Sequence, residues 1–300
     1  MTLRVCTFAG ASSLPILVAQ ERGLFEAAGL HVEVAETRSS DELMGGLLDG
    51  RFEVVHAAPD NFVAWRDRTG APIVAWIGGA SGPLVLVGRP GIGSLAELRG
   101  RTIGVDAPAS GFVTVLRKLL DGAGVPPDEV VLAPVGATHL RAEALRDGRI
   151  DATILTLPWA AAATRDGYPV LADARTAAPR MQGGSGGSLL PWLEAEPATA
   201  DAYLRALVAA LTWLQLPDSR APVRELIGRR YGIEPDLAEE VRSAFTDPRS
   251  GWPPSALVDV SGIAAVCALR AETGQPPREP AEAYVSLAPY RRVLGFGLLG

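Results

Sequence analysis

A strand running into a small-residue loop and then a helix opens this chain, and the same order returns about 98 residues later. Residues 4–12 (RVCTFAGAS) parallel 101–110 (RTIGVDAPAS), 26–30 (EAAGL) parallel 121–125 (DGAGV), and 49–53 (DGRFE) parallel 147–151 (DGRID). The last pair leads through a strand to Pro59 in one copy and Pro158 in the other, each opening the next helix. Four matched elements in matched order call for two similar lobes. Because helices connect successive strands, each lobe is expected to hold a mainly parallel sheet.

Within the first copy, an apolar run to Phe8 reads as a strand, a helix follows from about Ser13, and 31–36 reads as the next strand. Ser39, Ser40, Asp41 and Glu42 supply a cap and first-turn acids for a helix carrying Leu43, Met44, Leu47 and Leu48, which Gly50 ends. A strand at 52–55 follows. Residues 72–78 and 84–87 read as further strands around the turn-rich 79–83, so the first crossing between lobes is expected at 87–92. The glycine- and serine-rich 183–188 reads equally as the return crossing or as a surface loop. Helical patterns fill 197–216, 222–231, 235–245 and 256–273, and are expected to pack around the first lobe.

The expected architecture is therefore α/β, with residues 1–88 and 189–300 forming lobe 1 and 89–188 forming lobe 2. Strand C-termini and helix N-termini of both lobes then face one hinged cleft, where a ligand is expected.

Charge narrows the ligand's place. Lys and Arg total 28 against 34 Asp and Glu, a net charge of −6 without basic clusters, which argues against a nucleic-acid or anionic-membrane surface. Any anion must be held locally. Cys6 and Cys267 show no Cys-x-x-Cys spacing, and His31, His56 and His139 show no zinc-ligand spacing, so no metal is expected. Phosphate-loop and dinucleotide fingerprints are missing too, and no cofactor is expected. No apolar run approaches the roughly 20 residues that span a bilayer. Residues 1–4 lead straight into the first strand without a basic-then-apolar leader, and the expectation is a cytoplasmic protein without membrane insertion.

Several stretches resemble the periplasmic solute-binding proteins of the sulfonate, nitrate, taurine and thiamine-precursor type. They are Leu14-Pro15, 19–25 (AQERGLF), Gly29-Leu30, 49–54 (DGRFEV), 95–105 (LAELRGRTIGV) and 145–152 (LRDGRIDA), and the resemblance covers roughly residues 3–175. It implies a two-lobed fold that closes by hinge motion on a small organic molecule, often a sulfonate, carboxylate or pyrimidine. The same superfamily includes enzymes similar to thiamine-pyrimidine synthases, menaquinone-pathway naphthoate synthases, aromatic sulfinate desulfinases and dihydroxyphthalate decarboxylases. The cysteine-rich iron motif of the first is absent here, and the desulfinase nucleophile falls near Gly10, so neither chemistry transfers directly.

Candidate site residues follow from the strand ends. Gly10, Ser12 and Ser13 precede the first helix, where N–H groups and hydroxyls can hold a carboxylate or sulfonate, or simply cap the helix. Ser110 and Gly111 occupy the matching position in the second lobe, with Asp106 available to accept a ligand N–H or O–H. His56 ends a strand and is followed by Asp60 and Asn61, which puts a titratable ring and two polar side chains at the cleft; a hydrogen-bonded core histidine is the alternative. Arg141, in the first turn of a helix, suits bidentate clamping of an anion, or a surface salt bridge. Thr156 and Trp159 follow the last strand of lobe 2, with the indole placed to stack on a planar ligand opposite Trp76 and Phe8, unless these aromatics belong to the core. Cys6 reads as a small buried hydrophobe.

Two functions are compatible with this pattern. The first is a cofactor-independent lyase or decarboxylase acting on a small aromatic or heteroaromatic acid, with His56, Asp60 and Asp106 as catalytic groups and Arg141 as clamp. The alternative is a non-catalytic binding component of an ABC uptake system, in which case a permease is its partner.

Overall fold

The computed structural model describes residues 2–107, 110–248 and 250–295. Its strands are β1 (Thr2–Phe8), β2 (His31–Thr37), β3 (Val54–Ala57), β4 (Ile73–Gly78), β5 (Leu84–Gly88), β6 (Thr102–Val105), β7 (Val131–Pro134), β8 (Ala152–Thr156), β9 (Val170–Asp173) and β10 (Ser185–Leu189). Between and after them run α1 (Leu14–Glu21), α2 (Leu24–Ala27), α3 (Ser40–Leu48), α4 (Pro59–Thr69), α5 (Gly111–Gly122), α6 (Thr138–Arg146), α7 (Trp159–Arg165) and α8 (Leu190–Ala195). The C-terminal part adds α9 (Pro197–Leu214), α10 (Arg220–Tyr231), α11 (Pro235–Thr246), α12 (Val260–Glu272) and α13 (Ala288–Val293).

Two five-stranded sheets result, ordered β2-β1-β3-β10-β4 and β7-β6-β8-β5-β9. The repeat maps onto them directly: β1 lies parallel between β2 and β3, and β6 parallel between β7 and β8. Beside each parallel trio lies an antiparallel strand, β10 in the first sheet and β5 in the second. The α/β two-lobed architecture expected from the repeat is what the structure shows.

Those antiparallel strands correct the expected crossings. β5 pairs with β8 and β9 in the second sheet, so the chain crosses at 79–83 and not at 87–92. β10 pairs with β3 and β4 in the first sheet, so most of the glycine-rich 183–188 is neither connector nor surface loop. Composition misleads there because close packing also demands glycine. A Cβ on Gly187 would lie 2.3 Å from the Phe62 ring. The two crossing segments themselves pair, Gly79 N–H donating to Gly184 O (2.7 Å) and Gly184 N–H to Ala80 O (2.8 Å). Gln182 reinforces this hinge: its Nε2 donates to Gly184 O (3.1 Å), and its Oε1 accepts from Asp259 N–H (2.7 Å).

The C-terminal helices start and stop near their expected bounds, with α12 beginning at Val260, where the Asp259 side chain accepts from Ser261 N–H. α9 packs on α1 and α2 and buries Tyr203, Leu204, Leu207 and Leu211 in the first lobe's core. Each such side chain contributes about 1.5–3 kcal/mol as an upper bound. α12 departs from the expectation of packing on lobe 1 alone: it touches α4 in lobe 1 and α5 in lobe 2, and Glu272 pairs with Lys118 at 2.7 Å. No described helix is long and apolar enough to cross a membrane.

Candidate functional site

A cavity of about 150 Å³ lies where the strand ends of the two lobes meet. Of the sequence candidates, it gathers Phe8, Ser12, His56, Asp60 and Asn61 from lobe 1 and Asp106, Ser110, Gly111, Arg141 and Thr156 from lobe 2. Part of the loop leading from Asp106 to Ser110, namely Pro108 and Ala109, lies outside the described residues. Four candidates fall elsewhere. Trp76 is fully buried in the lobe 1 core, where Nε1 donates to Ser188 Oγ (2.9 Å), so it forms no wall of the cavity. Trp159 turns away to pack on Tyr231 (6.0 Å between centroids) and covers Gly10, whose absent Cβ would lie 3.3 Å from the indole. Ser13 spends its hydroxyl on Gly10 O (2.7 Å). Of the predicted aromatic wall only Phe8 lines the cavity; the two indoles belong to the core and to the contact between lobes, where large rings gain more from packing than from solvent-facing stacking.

The rings that do line the cavity beside Phe8 are Phe112, Phe245 and Trp252. Phe112 adjoins the candidate Gly111 and was within reach of sequence reasoning. Phe245 and Trp252 come from the end of α11 and the segment after it, far from any strand end, and no repeat or motif marks them. The hinge residues Met181 and Gln182 were likewise missed.

In lobe 1, β3 delivers His56 beside Thr7 of β1. The ring is buried, its Nε2 shares a 3.0 Å hydrogen bond with Tyr203 Oη, and burial pushes its pKa down to about 3. It is neutral at physiological pH. Asp60, on the first turn of α4, accepts from Arg270 Nη1 with both oxygens (3.0 and 3.1 Å), a pair buried on both sides. Burial raises the Asp60 pKa and the Arg270 charge opposes that rise. Gly111 is obligatory beside it: a Cβ would lie 2.6 Å from Asp60 Cβ, so a larger residue would wedge α5 away from α4.

In lobe 2, Asp106 at the end of β6 reaches across the cleft. Its carboxylate accepts from Ser40 N–H (3.1 Å) and from the Ser40 hydroxyl, at the first turn of α3. A backbone bond from Ala137 N–H to Arg38 O (2.8 Å) joins the lobes on the same side.

Arg141 is 2% exposed. Nη1 donates to Gly136 O (2.8 Å), while Nη2 donates to Thr138 Oγ1 and Ile154 O (both 3.1 Å). Nε has no hydrogen-bond partner, and no carboxylate pairs with the guanidinium among the described residues. Desolvation lowers its pKa to about 10, with Asp106 opposing, so it stays cationic at neutral pH. A buried cation fixed by neutral oxygens, which Asp106 steadies only through space and to which no described carboxylate is bonded, is costly to hold empty. Ser110 Oγ, at the start of α5, is a second buried lining group without a partner. No cluster of His, Cys, Asp and Glu suited to a metal occurs among the described residues.

Two α/β lobes, two crossing segments and a cleft lined from both sides define the periplasmic binding-protein fold. The chain belongs to the NMT1/THI5-like family, whose sequence profile matches residues 11–174. This agrees with the resemblance drawn from the motifs. No curated protein matches it in sequence. Among solved structures it is similar to the alkanesulfonate-binding protein SsuA from Xanthomonas axonopodis pv. citri bound to MOPS, at 19% identity and a TM-score of 0.79 over 95% of this chain and 98% of that one. The periplasmic nitrate-binding protein NrtA from Synechocystis PCC 6803 superposes with a TM-score of 0.81 at 13% identity, over 99% and 89% of the two chains. The desulfurization enzyme DSZB also matches, with a TM-score of 0.65 and 16% identity over 97% and 99%. At these identities the likeness establishes the fold, which hosts both capture and chemistry.

Proposed function

We propose that this protein captures a small organic anion reversibly in the interlobe cleft, as the solute-binding component of an ABC-type importer. The observation that carries this reading is Arg141, a buried guanidinium lining the cavity with its carbonyl contacts fixed and no carboxylate bonded to it among the described residues. A carboxylate or sulfonate supplies the missing charge through charge-assisted hydrogen bonds. The binding components of nitrate and alkanesulfonate named above add support by analogy.

The lyase expected from the sequence is not retained. A general acid or base works best with a pKa near the operating pH, and His56, at about 3 and bonded to Tyr203, has neither a proton to give nor appreciable basicity. Asp60 is neutralised by Arg270, and Asp106 is engaged with Ser40. Calorimetry against a panel of small carboxylates and sulfonates, followed by mass spectrometry of each ligand after prolonged incubation, tests the reading. Saturable binding of an anion recovered unchanged is expected; turnover, or a preference for cations, overturns it.

A further inference from the structure

We infer that the cleft selects a monoanion of about single-ring size whose far end carries a neutral, amide-like edge read by the Asn61 carboxamide. This rests on the anion capture proposed above and adds what the rest of the ligand must be.

Asn61 lines the cavity from the first turn of α4 and is only 3% exposed, yet its carboxamide has no hydrogen-bond partner among the described residues. Its polar atoms are not sealed in the core, so its side-by-side donor and acceptor are available to a complementary pair on the ligand. The lobe 1 side offers no free charge to go with it. Asp60 is held by Arg270, and His56 is neutral. Trp252 Nε1 and Ser185 Oγ, also buried without partners on lining residues, are neutral donors. Among the described lining residues, Arg141 alone supplies a cation without a bonded carboxylate, from the opposite lobe. One end of the ligand is therefore anionic and the other polar but uncharged. A second carboxylate beside Asn61 would face Asp60 with no cation left to balance it. The cavity of about 150 Å³ matches the size that accommodates one benzene ring, which bounds the body between the two ends.

Two matched sets of acids test this by calorimetry: 6-oxo-1,6-dihydropyridine-3-carboxylate, benzoate and terephthalate; and succinamate, pentanoate and succinate. In at least one set the amide-bearing monoanion is expected to bind about tenfold or more tighter than both its apolar and its dianionic relative. Asn61→Leu is expected to remove most of that preference while the apolar acid still binds. If the acids bind but no set discriminates, or the preference survives Asn61→Leu, the inference is overturned and anion capture stands. If no acid in either set binds, the inference falls, and the wider carboxylate and sulfonate panel then decides whether anion capture falls with it. Because the wild-type comparison is decisive by itself, an unfolded variant does not shield the idea.

Discussion

His56 and Arg141 occupy comparable positions, each buried in the cleft wall of its own lobe, and the same physical cause acts on both. Desolvation lowers each pKa, to about 3 for the histidine and about 10 for the arginine. Starting near 6.5, the imidazole is silenced; starting far higher, the guanidinium stays charged. Lobe 1 thus presents neutral groups and a closed ion pair, while lobe 2 presents a cation awaiting an anion. The helix starts differ in the same way. In lobe 1 Ser13 turns its hydroxyl onto Gly10 O and Trp159 covers the loop, whereas in lobe 2 Ser110 keeps its hydroxyl unpaired at the cavity. Sequence repetition set the same scaffold twice, and packing assigned the two copies different electrostatics.

The strongest break of this comparison removes the charge balance of lobe 1. Arg270→Met leaves Asp60 buried without its partner and is expected to cost about 3–5 kcal/mol in urea unfolding. The double variant Asp60→Asn with Arg270→Met should recover much of that, since the uncompensated charge is gone. Next in size is the charge of lobe 2. Arg141→Met is expected to weaken binding of the preferred anion about 100-fold, near 3 kcal/mol, by calorimetry. Arg141→Lys should restore little, because a single ammonium cannot reproduce bonds to Gly136 O, Thr138 Oγ1 and Ile154 O while still facing the ligand.

Solution pH separates the two groups without mutation. Above pH 6.5 His56 is neutral both folded and unfolded and costs nothing. As pH falls below 6.5 the unfolded chain takes up a proton that the folded chain refuses until about pH 3, so stability drops by up to about 1.4 kcal/mol per pH unit. Between pH 6.5 and 5 a loss of about 1–2 kcal/mol is expected in urea unfolding, flattened in His56→Gln. Anion binding should instead stay level from about pH 5 to 9, because the Arg141 guanidinium keeps its charge throughout. A pH profile of affinity that breaks near 6 would reassign the working charge to His56.

How much of this was legible depends on what a residue's neighbours in sequence can reveal. The parallel trios β1, β2, β3 and β6, β7, β8 were readable because each helix and its loop are written locally, and so were the strand-end position of His56 and the place of Arg141 near a helix start. Membership of β5 and β10 was not, since an antiparallel strand contributed from the other half of the chain leaves no local mark, and Gly187 looks flexible until Phe62 is placed against it. Asp60 shows the same limit in the site. Its position at the cleft followed from the strand before it, but its neutralisation required Arg270, 210 residues away. Phe245 and Trp252 reach the cavity from the end of α11 and the segment after it, whose packing no short-range pattern encodes.

The smallest expected effect concerns the clasp between the lobes. Asp106 in lobe 2 accepts from the Ser40 amide and hydroxyl in lobe 1, on a side where the Ala137 amide also donates to Arg38 O. Asp106→Ala removes the first contact and leaves the second, so it should cost about 1–2 kcal/mol of closure and no fold. The Ser40 amide is then expected to exchange with solvent about tenfold faster, with a modestly larger radius of gyration in X-ray scattering of the ligand-free protein. Exchange at Ala137 serves as the internal comparison. If Ser40 stays as protected as before, the clasp is not what holds the lobes together, and the coupling must pass through α12, which touches both α4 and α5.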